Sequence, residues 1–313
     1  MLLKSRLELI GNTPLLELSR IKIANNNRIF AKLESCNPAG GVKDRVALHI
    51  FKRLSKEGKL HKDSVIIEAT AGNTGLGIAF VAQHFNVKTI LVIPDKFSIE
   101  KQILAKALGA EVINTPKELG MQGAIDKANE LLQNTPFSFT LNQFENPQNP
   151  QAHYLTTAAE IYEDMQELAR PNKALFDYFV CGAGSGGSFS GCMRYFKEKD
   201  TRIQGVLCDP IGSIIGGEGE CCLNDIEGIG NNMIPKTMDT SLVSMVQKIS
   251  NEEAYKAVSL LSQNEGVLAG ISSGACLCAS LKLAKSVKDS FIVTIFADDL
   301  SRYFSKNFLE NHL

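Results

Sequence analysis

The sequence lacks the features that would mark it as a binder of nucleic acid or of membranes. Its 33 lysines and arginines nearly balance its 34 aspartates and glutamates, giving a formal net charge of -1. No basic field therefore favours phosphate backbones or anionic lipid. The longest apolar runs, such as TILVIP and FIVTIFA, have the length of strands and fall short of the ~18–20 residues that span a bilayer. We expect a soluble protein that acts on small molecules.

The cysteines also lack a pattern that would indicate metal binding or disulfides. None of the eight belongs to a pair of CxxC motifs, and the start of the chain shows no secretory signal. In a reducing compartment such cysteines are usually small buried hydrophobes. Vicinal Cys221 and Cys222, and the spaced Cys276 and Cys278, lack the further ligands of a tetrahedral set. We expect a cytoplasmic protein without a metal site.

What the chain does have is an alternation of strand-length and helix-length segments, beginning near Asp63. SVIIEA, TILVIP, EVINTP and FSFTLNQF are predicted strands, separated by the helices LGIAFVAQHF, SIEKQILAKALGA and GAIDKANELLQ. ENPQNPQ, with two prolines, is interpreted as a crossing between domains. Beyond it we predict a long helix, HYLTTAAEIYEDMQEL, then strand LFDYFVC, helix FSGCMRYFKEK and strand IQGVLCDP. This alternation predicts an α/β fold with parallel sheets covered on both faces.

Three polar loops containing glycine precede predicted helices. They are TAGNTG (70–75), CGAGSGGS (181–188) and GISSGA (270–275). We interpret each as a strand-to-helix junction, which is where ligands bind in open α/β sheets. The first N–H groups of a helix are unpaired and favour an anion, so each loop is a candidate binding site.

The second loop matches a dinucleotide-binding pattern. Gly182, Gly184 and Gly187 spell GxGxxG, and Asp209 ends the next predicted strand. That arrangement is formally the fingerprint of an NAD-binding fold, although short glycine patterns also arise by chance. The loop lies past the middle of the chain, however, whereas the fingerprint usually stands near the start of its domain. An NAD-binding oxidoreductase stays an alternative.

The serines of the same loop favour another ligand. Ser185, Gly186 and Ser188 form a dense group of donors suited to one terminal phosphate. A phosphate cup, an Asn-bearing loop and a suitable lysine together suggest pyridoxal phosphate. The candidate amine is Lys43, which follows a glycine turn at the start of a predicted helix, where burial or a cation such as Arg45 can lower its pKa. The alternative is that Lys43 is a solvated surface group, as most lysines are.

Together these motifs resemble the cysteine synthase and cystathionine β-synthase family of fold-type II pyridoxal-phosphate enzymes. The resemblance implies two three-layer α/β/α domains, like those of the tryptophan synthase β subunit, with the cofactor in the cleft between them. Residues 1–40 and 150–313 would form the larger, phosphate-binding domain, and residues 41–149 a smaller, mobile substrate-binding domain. The resemblance also implies a homodimer and serine acetyltransferase as a protein partner. The segments that carry it are, in order, IGNTPLLEL, NPAGGVKDR, EATAGNTG, ALGAEVINTP, NQFENPQNPQAHY, GAGSGGSFSG, EGIG, GISSGA and SRYFS.

The resemblance assigns roles to individual residues. Lys43 would form the Schiff base with the cofactor, Asn73 would hydrogen-bond its O3′, and Ser272 would bind its pyridine nitrogen. The hydroxyls of Thr70 and Thr74, which the resemblance places at the substrate carboxylate, have an alternative role as caps of the following helix. The phosphate loop would comprise Gly184, Ser185, Gly186, Gly187 and Ser188. The substrate carboxylate would be bound by Thr70, Ala71, Gly72, Asn73, Thr74 and Gln143.

The implied activity is a β-replacement on O-acetylserine or serine through an α-aminoacrylate intermediate. Sulfide as nucleophile would give L-cysteine, and homocysteine would give cystathionine. Lys43 would take the Cα proton as general base and later return it. A hydroxyl such as that of Ser272 does not hold the pyridine nitrogen protonated, and a weaker electron sink of this kind favours β-elimination.

The chain departs from the family pattern at several positions. Gly41 and Ala71 stand where simple cysteine synthases commonly have serine, and Ala297 and Asp298 replace a Pro-Ser pair. Asp298 and the EGIG segment look more like the cystathionine β-synthase branch, including its bacterial O-acetylserine-dependent forms. The nucleophile therefore stays open. A serine or threonine dehydratase and a catalytically silent relative are further alternatives.

Overall fold

The computed structural model describes residues 2–70, 72–217 and 224–306. Ala71, which is one of the predicted carboxylate contacts, lies outside these residues, as do the vicinal cysteines Cys221 and Cys222 and the nearby Glu218. Within the described residues the strands are β1 (Leu15–Glu17), β2 (Arg28–Leu33), β3 (Val65–Ala69), β4 (Lys88–Pro94), β5 (Glu111–Thr115), β6 (Ser138–Phe139), β7 (Tyr178–Gly182), β8 (Gln204–Pro210), β9 (Met245–Ile249) and β10 (Phe291–Phe296).

The α-helices cover the two faces of the sheets. In the described part of the chain, no helix is both long and apolar enough to cross a bilayer. Short 3-10 helices occur at Arg6–Leu9, Ala24–Asn26, Glu34–Cys36, Lys117–Leu119, Thr240–Leu242 and Leu300–Tyr303. The α-helices are α1 (Lys43–Lys56), α2 (Asn73–Phe85), α3 (Ile99–Ala107), α4 (Gly120–Asn134), α5 (Gln148–Leu155), α6 (Thr157–Gln166), α7 (Gly187–Lys199), α8 (Asn251–Glu265) and α9 (Ile271–Ser286).

The strands form two sheets, as the α/β prediction requires. One sheet has six strands in the order β1-β2-β10-β7-β8-β9, and all its pairs are parallel except β1 with β2. The other has four parallel strands in the order β5-β4-β3-β6. Every residue of β10 is buried, as is β4 after its first residue, because helices cover both faces of these strands. The predicted α/β fold class is confirmed.

The strand predicted over FSFTLNQF is much shorter in the structure, where β6 has only two residues. The carboxylate of Glu68, at the end of β3, accepts hydrogen bonds from the Thr140 hydroxyl (2.5 Å) and from the N–H groups of Leu141 (2.9 Å) and Asn142 (3.2 Å). These groups would otherwise belong to a strand. A buried carboxylate therefore replaces the strand pairing beyond residue 139.

The segment around ENPQNPQ also differs from the prediction. Helix α5 begins at Gln148 and includes Pro150 in its first turn, where the missing N–H would be unpaired in any case. The long helix predicted from His153 is interrupted at Thr156, whose backbone (φ -125, ψ -75) is not helical. The Thr156 hydroxyl donates to the Ala152 carbonyl at 2.7 Å, which stabilises this break between α5 and α6.

The loop GISSGA follows a helix instead of the predicted strand. The element before it is α8. Ala269, just before the loop, forms only an isolated β-bridge with Asp299, which is too short to be a strand. The strand predicted to begin at Leu175 starts at Tyr178. The first two loops do connect strand to helix, β3 to α2 and β7 to α7, as predicted.

A buried ionic network anchors α1, the helix that begins with Lys43. The guanidinium of Arg45 donates to Glu34 at 2.7 Å and 2.8 Å and to Glu160 at 2.6 Å and 2.8 Å. It also donates to the Thr13 hydroxyl at 3.1 Å. Because these partners come from the segment after β2, from α6 and from the N-terminal segment, the network holds α1 against the six-stranded sheet.

Candidate functional site

Lys43 lies at the start of α1, directly after a glycine turn, and its amine reaches the loop before α7. Lys43 Nζ is 3.3 Å from Ser185 Oγ, and the described residues place no carboxylate at ion-pairing distance from it. Burial lowers the pKa of Lys43 to about 8, against a smaller opposing effect of Cys181. An amine that is easily deprotonated can attack an aldehyde, so Lys43 fits the role of a cofactor-binding lysine.

The loop between β7 and α7 forms a cradle of bare backbone. Gly186 precedes α7 with φ +82, a conformation that favours glycine. A Cβ on Gly184 would lie 2.3 Å from the Gly228 carbonyl oxygen, and one on Gly186 would lie 2.5 Å from Met238 Cβ. At its glycines the loop is thus pressed directly against its neighbours. The first N–H groups of α7 have no carbonyl partner within the helix and can bind an anion such as a phosphate.

The two serines of this loop are held by neighbouring side chains. Ser185 Oγ accepts from Asn149 Nδ2 at 2.9 Å, in addition to its contact with Lys43. The Ser188 hydroxyl is 3.1 Å from His153 Nε2. Burial holds the pKa of His153 well below its usual value, so that this imidazole is neutral at physiological pH. Both hydroxyls are therefore oriented before any ligand binds.

Gly187, also predicted for the phosphate loop, is the first residue of α7. A Cβ there would lie 2.0 Å from Asn149 Oδ1. Asn149 also donates to the Gln143 carbonyl at 2.7 Å, so one side chain connects the predicted phosphate loop to a predicted carboxylate contact. The Thr237 hydroxyl strengthens the same connection: it donates to the Ser185 carbonyl, and the Gln143 carbonyl oxygen lies 3.4 Å from its Oγ1.

The two threonines of the loop TAGNTG make different kinds of hydrogen bond. Thr70 Oγ1 accepts from the N–H groups of Gly72 (3.0 Å) and Gly75 (3.3 Å), which is the capping interaction raised as its alternative role. The Thr74 hydroxyl instead donates to Gln143 Oε1 at 2.6 Å. The structure therefore brings Thr74 and Gln143 together, both buried, as the prediction of a shared carboxylate site requires.

Asn73 and Ser272 lie in the first turns of two other helices, α2 and α9. Asn73 is the first residue of α2, and its amide contacts Asp298 and Arg302 beyond the end of β10. Ser272 is buried in the first turn of α9. The hydroxyl of its neighbour Ser273 accepts from the Ala297 N–H at 3.0 Å, which ties that helix start to the end of β10.

Asp209 ends β8 as predicted, but its carboxylate is already engaged. Asp209 is fully buried, and its Oδ2 accepts from Lys248 Nζ at 2.7 Å and from the Gly216 N–H at 3.0 Å. A residue committed to an internal ion pair is poorly placed to bind a ribose. The arrangement therefore argues against the dinucleotide alternative.

The cysteines in the described ranges mostly pack in the interior. Cys181, Cys192, Cys208 and Cys276 are buried, whereas Cys36 is exposed. In the parts of the chain that the structure describes, no group of three or more His, Cys, Asp or Glu side chains is arranged to hold a metal ion. The buried cysteines match the expectation of small hydrophobic residues, and Cys36 does not.

Several residues at the site were missed by sequence reasoning. Asn149 lies within ENPQNPQ, which is interpreted as a domain crossing and also belongs to NQFENPQNPQAHY, a segment of the resemblance that assigns this asparagine no role. Thr237 lies in no recognised motif. Arg302 belongs to SRYFS, a segment that contributed to the resemblance without a role for its arginine. The motifs around Asn149 and Arg302 therefore pointed to these residues. Their contacts could not be predicted, because the partner residues are far away along the chain.

Comparisons with known proteins identify the family of this chain. The model of the family "Pyridoxal-phosphate dependent enzyme" matches residues 6–298. The O-acetylserine dependent cystathionine beta-synthase of Bacillus subtilis (strain 168) is 41% identical over 97% of this chain and 96% of that protein. A cysteine synthase of Helicobacter pylori (strain ATCC 700392 / 26695) is 43% identical over 98% of each.

Solved structures of similar proteins match nearly the whole chain. The crystal structure of O-acetylserine dependent cystathionine beta-synthase from Helicobacter pylori matches with a TM-score of 0.91 and 42% identity, covering 98% of each chain. A hydrogen sulfide-producing enzyme from Fusobacterium nucleatum matches with a TM-score of 0.91 and 40% identity, covering 97% of this chain and 100% of that one. The amine of Lys43 and the cradle before α7 fit the cofactor that the family model names. The chain belongs to the family of pyridoxal-phosphate dependent enzymes.

Proposed function

We propose that this chain catalyses a β-replacement on O-acetylserine or serine. The bond from Cβ to the leaving oxygen breaks, releasing acetate or water, and a thiol nucleophile, sulfide or homocysteine, forms a C–S bond at the same carbon. The observation that carries the proposal is the 3.3 Å contact of the Lys43 amine with Ser185, at the glycine cradle before α7. The names of the relatives, cysteine synthase and O-acetylserine dependent cystathionine beta-synthase, support the reaction class.

Lys43 would hold the cofactor and move the proton of the substrate. Pyridoxal phosphate, when bound, supplies the electron sink that makes the Cα proton acidic. Lys43 Nζ would take this proton and return it to Cα after the nucleophile has added. A pKa of about 8 suits this task, because a general base works best when its pKa is near the operating pH.

The remaining predicted residues would bind and orient anions and ring atoms. Residues 184–188 would hold the cofactor phosphate, Asn73 would bind its O3′, and Ser272 its pyridine nitrogen. The substrate carboxylate would lie against Thr74 and Gln143, with the N–H group of Asn73 as a further donor, because the N–H groups of Thr70 and Gly72 already donate to the Val92 carbonyl and to Thr70 Oγ1. The buried Thr74–Gln143 hydrogen bond supports this assignment, since it orients an amide N–H group without a competing cation.

Closure of the cleft would exclude water from the reaction. We propose that residues 41–149 form the smaller domain and that its part beyond α1 moves against residues 1–40 and 150–313, because the Arg45 network anchors the start of α1 to Glu34 and Glu160. Two contacts support a closed arrangement. Lys101 Nζ of α3 lies 2.8 Å from Glu227 Oε2, and the Ser98 hydroxyl donates to the Arg302 carbonyl at 2.5 Å. Lys101 and Glu227 are both buried, so this ion pair would have to open when substrate enters.

The test is turnover with defined donors and nucleophiles. Purified protein loaded with pyridoxal phosphate is given O-acetylserine or serine with sulfide, and then with homocysteine, and the products cysteine, cystathionine and pyruvate are quantified. We expect the replacement product to exceed pyruvate with at least one nucleophile. Lys43→Ala should abolish turnover, whereas Lys52→Ala, an exposed lysine on the same helix, should leave it unchanged.

Two results would contradict the proposal. Pyruvate as the main product would indicate a dehydratase-type β-elimination. Cofactor binding at Lys43 without turnover of either donor would indicate a catalytically silent relative.

Assembly and location are further proposals that rest on the family resemblance. We propose that the chain works as a cytoplasmic homodimer and that it can bind serine acetyltransferase. Sedimentation of the purified protein tests the dimer, and co-purification with a purified serine acetyltransferase tests the partner.

A further inference from the structure

The side-chain amide of Asn73 is held at both ends by groups of opposite charge. Its Nδ2 donates to Asp298 Oδ2 at 2.7 Å, and its Oδ1 accepts from Arg302 Nη1 at 2.6 Å. A flipped amide would set its NH2 group against the guanidinium and its carbonyl against the carboxylate. Only one orientation of Asn73 is therefore compatible with both partners.

Both partners are themselves firmly placed. Asp298 is fully buried, and its Oδ2 also accepts from the Tyr303 hydroxyl at 2.5 Å. Its other oxygen, Oδ1, is buried without a hydrogen-bond partner in the described residues. Arg302 is 4% exposed, and its Nη2 donates to the Ala39 carbonyl in the turn before Lys43. The three residues thus form a network that reaches from α2 to the lysine turn.

The glycines of that turn make room for the guanidinium. A Cβ on Gly40 would lie 2.5 Å from Arg302 Nη2, and one on Gly41 would lie 3.2 Å from Nη1. Gly41 also forms an isolated bridge with Asp298. The departures from the family pattern at positions 41 and 298 are therefore neighbours in space and belong to one local arrangement around Arg302.

We propose that Asp298 and Arg302 are positioning residues that act on the cofactor through Asn73. Asp298 takes one of the two N–H groups of the amide and so leaves the other for the cofactor. Donation by Arg302 to the amide carbonyl polarises the amide, which strengthens that remaining N–H as a donor. The inference rests on the cofactor-binding role given to Asn73 under the proposed function.

A double-mutant cycle on cofactor affinity tests the inference without any measurement of turnover. Cofactor-free Asn73→Ala, Arg302→Met and the double variant are titrated with pyridoxal phosphate, and the dissociation constant and the position of the absorbance band are recorded. We expect each single variant to bind about tenfold more weakly, as the loss of one hydrogen bond predicts. The double variant should match Asn73→Ala in both affinity and band position, because an Arg302 that acts on the cofactor through Asn73 has no effect without it. A further loss in the double variant would indicate that Arg302 acts through its other contact, with the Ala39 carbonyl.

Asp298→Asn, which is nearly isosteric, provides a second cycle should Arg302→Met fail to fold. Its weakening of cofactor binding should likewise vanish in the Asn73→Ala background. Losses that multiply to about a hundredfold in the double variants would overturn the inference, because the two residues would then act independently. Unchanged affinity in Asn73→Ala itself would instead overturn the cofactor-binding role of Asn73, and with it the premise of the inference.

Discussion

The lowered pKa of Lys43 leads to a direct kinetic prediction for cofactor attachment. Only a neutral amine attacks the aldehyde of pyridoxal phosphate, so the rate of attachment follows the deprotonated fraction of Lys43. Burial lowers this pKa from 10.5 to about 8. The prediction concerns the cofactor-free protein at different pH values.

The magnitude follows from the two pKa values. At pH 7 an amine of pKa about 8 is roughly 9% neutral, whereas one of pKa 10.5 is roughly 0.03% neutral, a difference of about 300-fold. We expect the rate constant to rise about tenfold per pH unit below pH 8 and to level off above it.

The assay is stopped-flow mixing of cofactor-free protein with pyridoxal phosphate, followed by absorbance. N-acetyl-lysine amide, run in parallel, corrects for ionisations of the cofactor itself. Reduction with borohydride and mass spectrometry locate the modified residue, which should be Lys43. Lys52→Ala, on the exposed face of the same helix, should give the wild-type profile. A rate that still rises near pH 10 would refute the reasoning, because it would mean that the Lys43 amine is solvated.

Three further predictions follow from burial and close contact. Arg45→Met leaves the buried Glu34 carboxylate without its cation and should lower the free energy of unfolding by about 3–5 kcal/mol, measured by urea titration; a loss below about 1 kcal/mol would contradict the importance of the network. Gly184→Ala sets a methyl group 2.3 Å from the Gly228 carbonyl oxygen and should weaken binding of pyridoxal phosphate at least about tenfold in a fluorescence titration, and unchanged affinity would show that the loop can shift. Lys43→Met should stabilise the cofactor-free protein at pH 7 by at most about 3 kcal/mol, because protonated Lys43 is buried at a cost. Since the folded-state pKa lies below that of the unfolded chain, the advantage of this variant should fade as the pH rises from about 8 to 10.5, and an advantage that is independent of pH would exclude Lys43 as its cause.

The secondary structure of the two α/β units could be predicted because it depends on local patterns. Buried parallel strands are nearly continuous apolar runs, as in β4 and β10, and helices such as α1 and α4 are amphipathic. The predictions failed where a distant or non-periodic group intervened. Glu68 replaces the pairing of a strand with side-chain hydrogen bonds, and Thr156 interrupts a helix whose sequence pattern continues across it.

Part of the site could likewise be found from the sequence. Glycine loops before helices have a local conformational cause, and Lys43, Ser185 and Gly184 were predicted from such loops or from the motifs around them. Asn149 and Thr237 could not be found, because their role depends on contact with Ser185 over a separation of 36 and 52 residues. Such contacts depend on how α5 packs against α7 and on where the segment between β8 and β9 lies, which no local pattern encodes.

By itself the sequence determined the alternation of strands and helices, the places where bare backbone begins a helix, and the family, because each is recorded in short runs of residues. Only the tertiary structure decided which polar groups meet. It buried the Lys43 amine beside Ser185, and this burial lowers the pKa of the amine. It also placed Asn73 between Asp298 and Arg302, which are 225 and 229 residues away. Burial and long-range contact determine the chemistry of these groups, and both arise only when the chain is folded.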